Sequence, residues 1–107
     1  MALPVLNYQE VGQGKPLVLL HGLGESIRFW EYQTPAFAQR YRVILIDLPG
    51  FGQSARLPRY SVEGMAQCVW ALLQSLGVDS FYLLGHSMGG AVAQQLTLDH
   101  PQAVIKL

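Results

Sequence analysis

Apolar residues in this chain come in short bursts separated by glycine-rich breaks. "VLNYQEV" (residues 5–11) alternates as a strand does, and "GQGKP" (12–16) has the composition of a turn. "LVLL" (17–20), "RVILI" (42–46) and "FYLL" (81–84) are continuous apolar runs, the pattern of strands buried on both faces. "AVIKL" (103–107) predicts a fifth strand. Between them lie two helical patterns. In the first, Val62, Met65, Val69, Leu72, Leu73 and Leu76 recur at helical spacing, Ser61 caps the start, Glu63 sits in the first turn and Gly77 ends it. The second runs from Met88 to His100 and stops before Pro101. Residues 28–40 read as helical in pieces, with Pro35 in a first turn after Thr34.

Strands alternating with helices imply right-handed crossovers. The expected fold is α/β: three layers, α/β/α, around a mostly parallel sheet of about five strands with three helices. Chemistry in such a sheet gathers in loops at the carboxyl ends of the strands. Three loops hold that position, "HGLGES" (21–26), "DLPGFGQS" (47–54) and "GHSMGG" (85–90), and all are rich in glycine.

Composition narrows the classes. In 107 residues, seven basic and seven acidic side chains cancel, with no Lys/Arg cluster to grip nucleic acid. Cys68 is the only cysteine, so there is no internal disulfide and no Cys/His metal motif; it reads as a small buried hydrophobe on a helix. No apolar run approaches the roughly 20 residues that span a bilayer, and the N-terminus does not read as a signal peptide. The expectation is a cytoplasmic protein with no membrane or nucleic-acid partner, no cofactor and no metal.

"G-H-S-M-G" (85–89) matches Gly-x-Ser-x-Gly, directly after a strand and at the start of a helix, the setting of a nucleophile elbow. Projecting a serine from so sharp a turn demands a strained backbone. Gly85 and Gly89 are needed because strand and helix pass too close for side chains, and Gly90 extends the clearance. The competing reading is an N-cap serine after a tight turn. In "H-G-L-G" (21–24), a loop with Gly22 at its start could aim backbone amides at a developing oxyanion. The expected donors are the N–H groups of Leu23 and Met88. His21 reads as a backbone-bonded support of its loop, and His86 as turned away from Ser87. Asp47 reads as the organiser of its own turn. Phe29, Trp30, Phe51 and Tyr60 could line a pocket, with core packing the alternative for Trp30 and Trp70.

Together, "VLLHGLGES", "VILIDLPGFGQS" and "YLLGHSMGGAVAQ" resemble the N-terminal half of the α/β-hydrolase family, in its branch of serine esterases, carbon–carbon-bond hydrolases and perhydrolases. On this resemblance residues 1–107 are the N-terminal part of a single domain, ending at the start of the strand after the nucleophile helix. It implies Ser87 as nucleophile and a small acyl or ester substrate cleaved through an acyl-enzyme. Epoxide hydrolases and haloalkane dehalogenases, which carry aspartate at the position of Ser87, are disfavoured. The family's acid and histidine follow the serine on later loops. Here only Asp99 and His100 follow, roughly 18–20 Å away along the helix at 1.5 Å per residue. The base is therefore expected outside this chain, which alone should be inactive. The alternatives are an inactive fragment or an interaction module that keeps the elbow and the oxyanion loop. A nucleotide-binding fragment lacks its phosphate motif. Association is also expected, as a homo-oligomer or with a complementary C-terminal fragment.

Overall fold

The computed structural model describes residues 3–107. Its five strands are β1 (Tyr8–Val11), β2 (Lys15–Leu20), β3 (Tyr41–Ile46), β4 (Phe81–Gly85) and β5 (Val104–Lys106). They form one sheet in the order β1-β3-β2-β4-β5. β1 runs antiparallel to β3, and every other pairing is parallel. The α/β expectation therefore holds, with the strand containing "FYLL" inside the sheet and the short "VIK" strand beside it at the edge.

The continuous apolar runs are explained by what lies on each face. Along β2 and β3, Val18, Leu20, Ile44 and Ile46 point to one face, which α2 (Val62–Ser75) and α3 (Met88–Asp99) cover with Met65, Val69, Leu73, Val92 and Leu96. The alternate residues Leu17, Leu19, Val43 and Leu45 point to the other face, against Ile27, Trp30 and Phe37. Because the side-chain period of a strand is two, a strand covered on both faces has no position left for a polar residue.

α2 begins as its sequence predicts: Ser61 accepts a hydrogen bond from Gly64 N–H at 2.9 Å, and the chain leaves the helix through Gly77 at φ +71°. One element differs from expectation. The first strand is shorter, Tyr8–Val11 rather than 5–11, because the residues before it leave the sheet to reach the loop after β3. There Asn7 N–H donates to Ser54 and its side chain to Asp47. Residues 28–40 are helical in pieces, as their sequence predicts. They hold a 3-10 turn (Ile27–Trp30) and one turn of α-helix, α1 (Thr34–Phe37), with Pro35 in its first turn. No helix among the described residues is long and apolar enough to cross a membrane.

Candidate active site

Ser87 joins the end of β4 to the start of α3 with φ 55° and ψ −118°, and among the described residues it is the only non-glycine with positive φ. A serine held there stores about 1–3 kcal/mol of strain. It occupies the N-cap position of α3, yet its side chain makes no capping hydrogen bond. The residue is exposed, so its hydroxyl is neither buried nor committed. That disposes of the N-cap alternative.

The flanking glycines have a steric cause. A Cβ on Gly85 would fall against the Gly89 carbonyl oxygen and 2.7 Å from Gly90 Cα. One on Gly89 would strike the backbone carbonyls of Leu20 and His21, where β2 ends. The expectation for Gly90 is corrected: a Cβ there would meet nothing closer than 3.6 Å, so that position needs no clearance.

At the start of α3 the backbone donors are unequally used. Gly89 N–H donates to His86, and those of Gly90 and Ala91 to Ser87, at 2.8–3.2 Å. Among the described residues, Met88 N–H has no acceptor in the protein. Leu23 N–H is likewise without one. The Leu23 loop is a tight turn closed by Glu25 N–H to Gly22 carbonyl at 3.1 Å, with Gly24 at φ +74° in the position a type II turn reserves for glycine. A Cβ on Gly22 would lie 3.2 Å from Ser87 Cβ, so this turn sits directly against the elbow.

His21 is fully buried. Its Nδ1 lies 2.7 Å from the Gly22 carbonyl, and its Nε2 is 2.9 Å from Leu48 N–H. A carbonyl only accepts and a backbone N–H only donates, so the ring carries one proton, on Nδ1, and both nitrogens are spoken for. His21 thus supports its loop, and also fastens it to the loop after β3. His86 meets Glu25 Oε1 through Nδ1 at 3.2 Å and stacks on Phe29 at 4.4 Å. His100 stacks on Trp70 at 3.5 Å, at the opposite end of α3 from Ser87.

Asp47 does more than organise its own turn. Its carboxylate accepts from Gln53 N–H in its own loop, from Ile27 N–H at the start of the 3-10 turn, and from the Asn7 side chain, at 2.8–3.0 Å. Trp30 is a core residue, as the packing alternative has it, and the partly buried Phe51 packs against the core. A cavity of about 650 Å³ lies beside Asn7, Ile27, Arg28 and Asp47, and Ser87 is not in its lining. Cys68 lies buried on α2, and burial pushes its thiol up.

Sequence reasoning missed Glu25. The available signal was its spacing, since an acid three residues after a backbone amide can reach back to it, as in a capping box.

The chain is 45% identical over 104 residues to a pimeloyl-[acyl-carrier protein] methyl ester esterase of Aeromonas hydrophila, covering 95% of this chain and 39% of that protein. It is 35% identical over 102 residues to a fluoroacetate dehalogenase of a Burkholderia species, covering 90% of this chain and 34% of that protein. Among solved structures, a marine microorganism esterase superposes with a TM-score of 0.92 at 33% identity, over 94% of this chain and 39% of the other. The chain thus spans well under half the length of these relatives, whose named reactions differ. The family model for the alpha/beta hydrolase fold matches residues 15–107, from the first residue of β2 through the elbow to the last residue of the chain. This chain belongs to the α/β-hydrolase family.

Proposed function

We propose that Ser87 is the nucleophile of a hydrolase acting on a carboxylic ester or related acyl substrate, with the N–H groups of Leu23 and Met88 as its oxyanion hole. One observation carries the reading: a strained, exposed serine with an unused hydroxyl adjoins the two loops that each keep a backbone amide without a protein acceptor. Serine Oγ would attack the acyl carbon, placing negative charge on the carbonyl oxygen. Two preorganised N–H donors stabilise that charge far better than they stabilise the neutral carbonyl. Collapse expels the alcohol and leaves an ester on Ser87, which water then hydrolyses. The position of Met88 at the positive end of α3 favours the same charge.

The base is the missing part. His21 has both nitrogens engaged, His100 lies roughly 18–20 Å along α3, and the Nδ1 of His86 is tied to Glu25. None of the three has a hydrogen bond to the Ser87 hydroxyl, so on this reading the proton acceptor and the acid that orients it are not among these residues, and the chain by itself is expected to be inactive. The same arrangement of histidines favours a second reading, a binding module that keeps the elbow without catalysis.

The test replaces the matching segment of the Aeromonas esterase with this chain and follows hydrolysis of p-nitrophenyl acetate. The hydrolase reading expects turnover that Ser87→Ala lowers by about a thousandfold or more, since loss of one triad member is that costly. A folded chimera whose rate is unmoved by Ser87→Ala would leave the binding-module reading.

A further inference from the structure

Glu25 takes no part in the chemistry above, yet its carboxylate stands between the two loops that do. Oε1 accepts from Gly22 N–H at 2.7 Å and meets His86 Nδ1 at 3.2 Å. One oxygen therefore joins the first residue of the Leu23 turn to the residue just before the nucleophile. The carboxylate can only accept, so His86 donates through Nδ1. Phe29 lies over the His86 ring at 4.4 Å, and the edge of Phe29 meets Trp30, a buried core residue. The junction is thus braced from the core as well.

From this juxtaposition we infer that Glu25 is a positioning residue, a latch that holds the Leu23 amide at a fixed place relative to Ser87 and the Met88 amide. The turn needs one. Leu23 and Gly24 are exposed, and little else in the described chain restrains their side of the loop. An exposed ion pair alone would contribute little. The carboxylate bond to the half-sheltered Gly22 amide is the stronger member, being charge-assisted and short. Its value is geometric: misplacing a catalytic donor by about 1 Å costs on the order of a hundredfold in rate.

The catalytic meaning of the latch rests on the Ser87 reading, so two readouts are taken: amide exchange on the 107-residue chain, and labelling on the chimera with the Aeromonas esterase, which supplies the base. Amide hydrogen exchange at Gly22, by NMR, reports the latch itself. The rate at which a fluorophosphonate labels Ser87 reports its consequence, since the phosphoryl oxygen occupies the place of the oxyanion. In Glu25→Ala, Gly22 exchange should rise about tenfold or more and labelling should fall about tenfold, with the melting temperature nearly unchanged. Glu25→Gln keeps an acceptor oxygen and should restore both. Unchanged Gly22 exchange in Glu25→Ala overturns the inference, as does labelling lost equally in both variants. If the chimera carrying the unmodified chain is not labelled, the Ser87 reading fails and Gly22 exchange alone decides the latch. Should Glu25→Ala not fold, His86→Ala frees the elbow end of the latch and leaves the Gly22 bond in place: slower labelling of the chimera supports the latch, and unchanged labelling removes it.

Discussion

The two glycine-rich loops that follow β2 and β3, residues 21–26 and 47–54, read alike in sequence and are used in opposite ways. The second is tied down throughout, to itself and to its neighbours. Asp47 absorbs three N–H donors, Ser54 Oγ donates back to the Asp47 carbonyl at 2.5 Å, and the Gly50, Phe51 and Ser54 amides find carbonyls. The first is held only at its ends, by His21 and Glu25, and leaves Leu23 N–H free at its tip. A loop whose backbone donors, Gly52 N–H apart, are all satisfied is a brace. One that keeps a donor unsatisfied beside a strained serine is equipped for a ligand. Glycine content alone does not separate the two cases, whereas the fate of each backbone donor does.

The comparison is broken most severely at Asp47. Replacement by alanine orphans Ile27 N–H and Gln53 N–H and frees Asn7, which should cost about 3–4 kcal/mol in urea unfolding. Asp47→Asn keeps one acceptor oxygen and should cost less. A loss under about 1 kcal/mol for the alanine variant would mean that the brace is not one.

Next come the glycines of the elbow. Gly89→Ala should cost about 2–3 kcal/mol, because its methyl meets backbone carbonyls that cannot rotate away. Gly90→Ala, one residue along the same helix with open space at its Cβ, should be neutral or stabilise by up to about 1 kcal/mol. Equal effects at the two positions would contradict the close approach of β4, α3 and β2.

Ser87→Gly should stabilise the fold by about 1 kcal/mol, since glycine adopts positive φ without strain, and should abolish fluorophosphonate labelling of the chimera. A destabilised Ser87→Gly would show that the turn is not strained.

The smallest effect touches neither loop and serves as a control on the packed face. Burial raises the Cys68 thiol, so the folded state holds that proton more tightly than the unfolded one. Stability should be constant below about pH 8.5, where the unfolded thiol begins to ionise, and fall gently as pH rises toward the folded value. Cys68→Ala should flatten that fall, checked by urea midpoints across pH.

Much of this was legible in the residues. The buried strands announce themselves because helices and turns cover both faces of β2 and β3. The Ser87 turn follows from two glycines whose clashes are real. What escaped is tertiary. Nothing local says that Asp47 reaches Ile27 and Asn7, or that residues before Tyr8 abandon the sheet to meet it. The helical pieces in residues 28–40 are legible from Pro35 after Thr34, but not that Trp30 and Phe37 serve the second sheet face from two single turns. Glu25 was passed over because its partners lie in two different loops, one of them distant in sequence.

The central claim, that Ser87 receives the acyl group, is tested most directly by acid-quenching the chimera during p-nitrophenyl acetate turnover and mapping its peptides by mass. The account predicts an acetyl group on the peptide containing Ser87, sensitive to hydroxylamine and absent in Ser87→Ala. Acetyl on another residue of this chain, or turnover that persists in Ser87→Ala with no adduct at all, would contradict it.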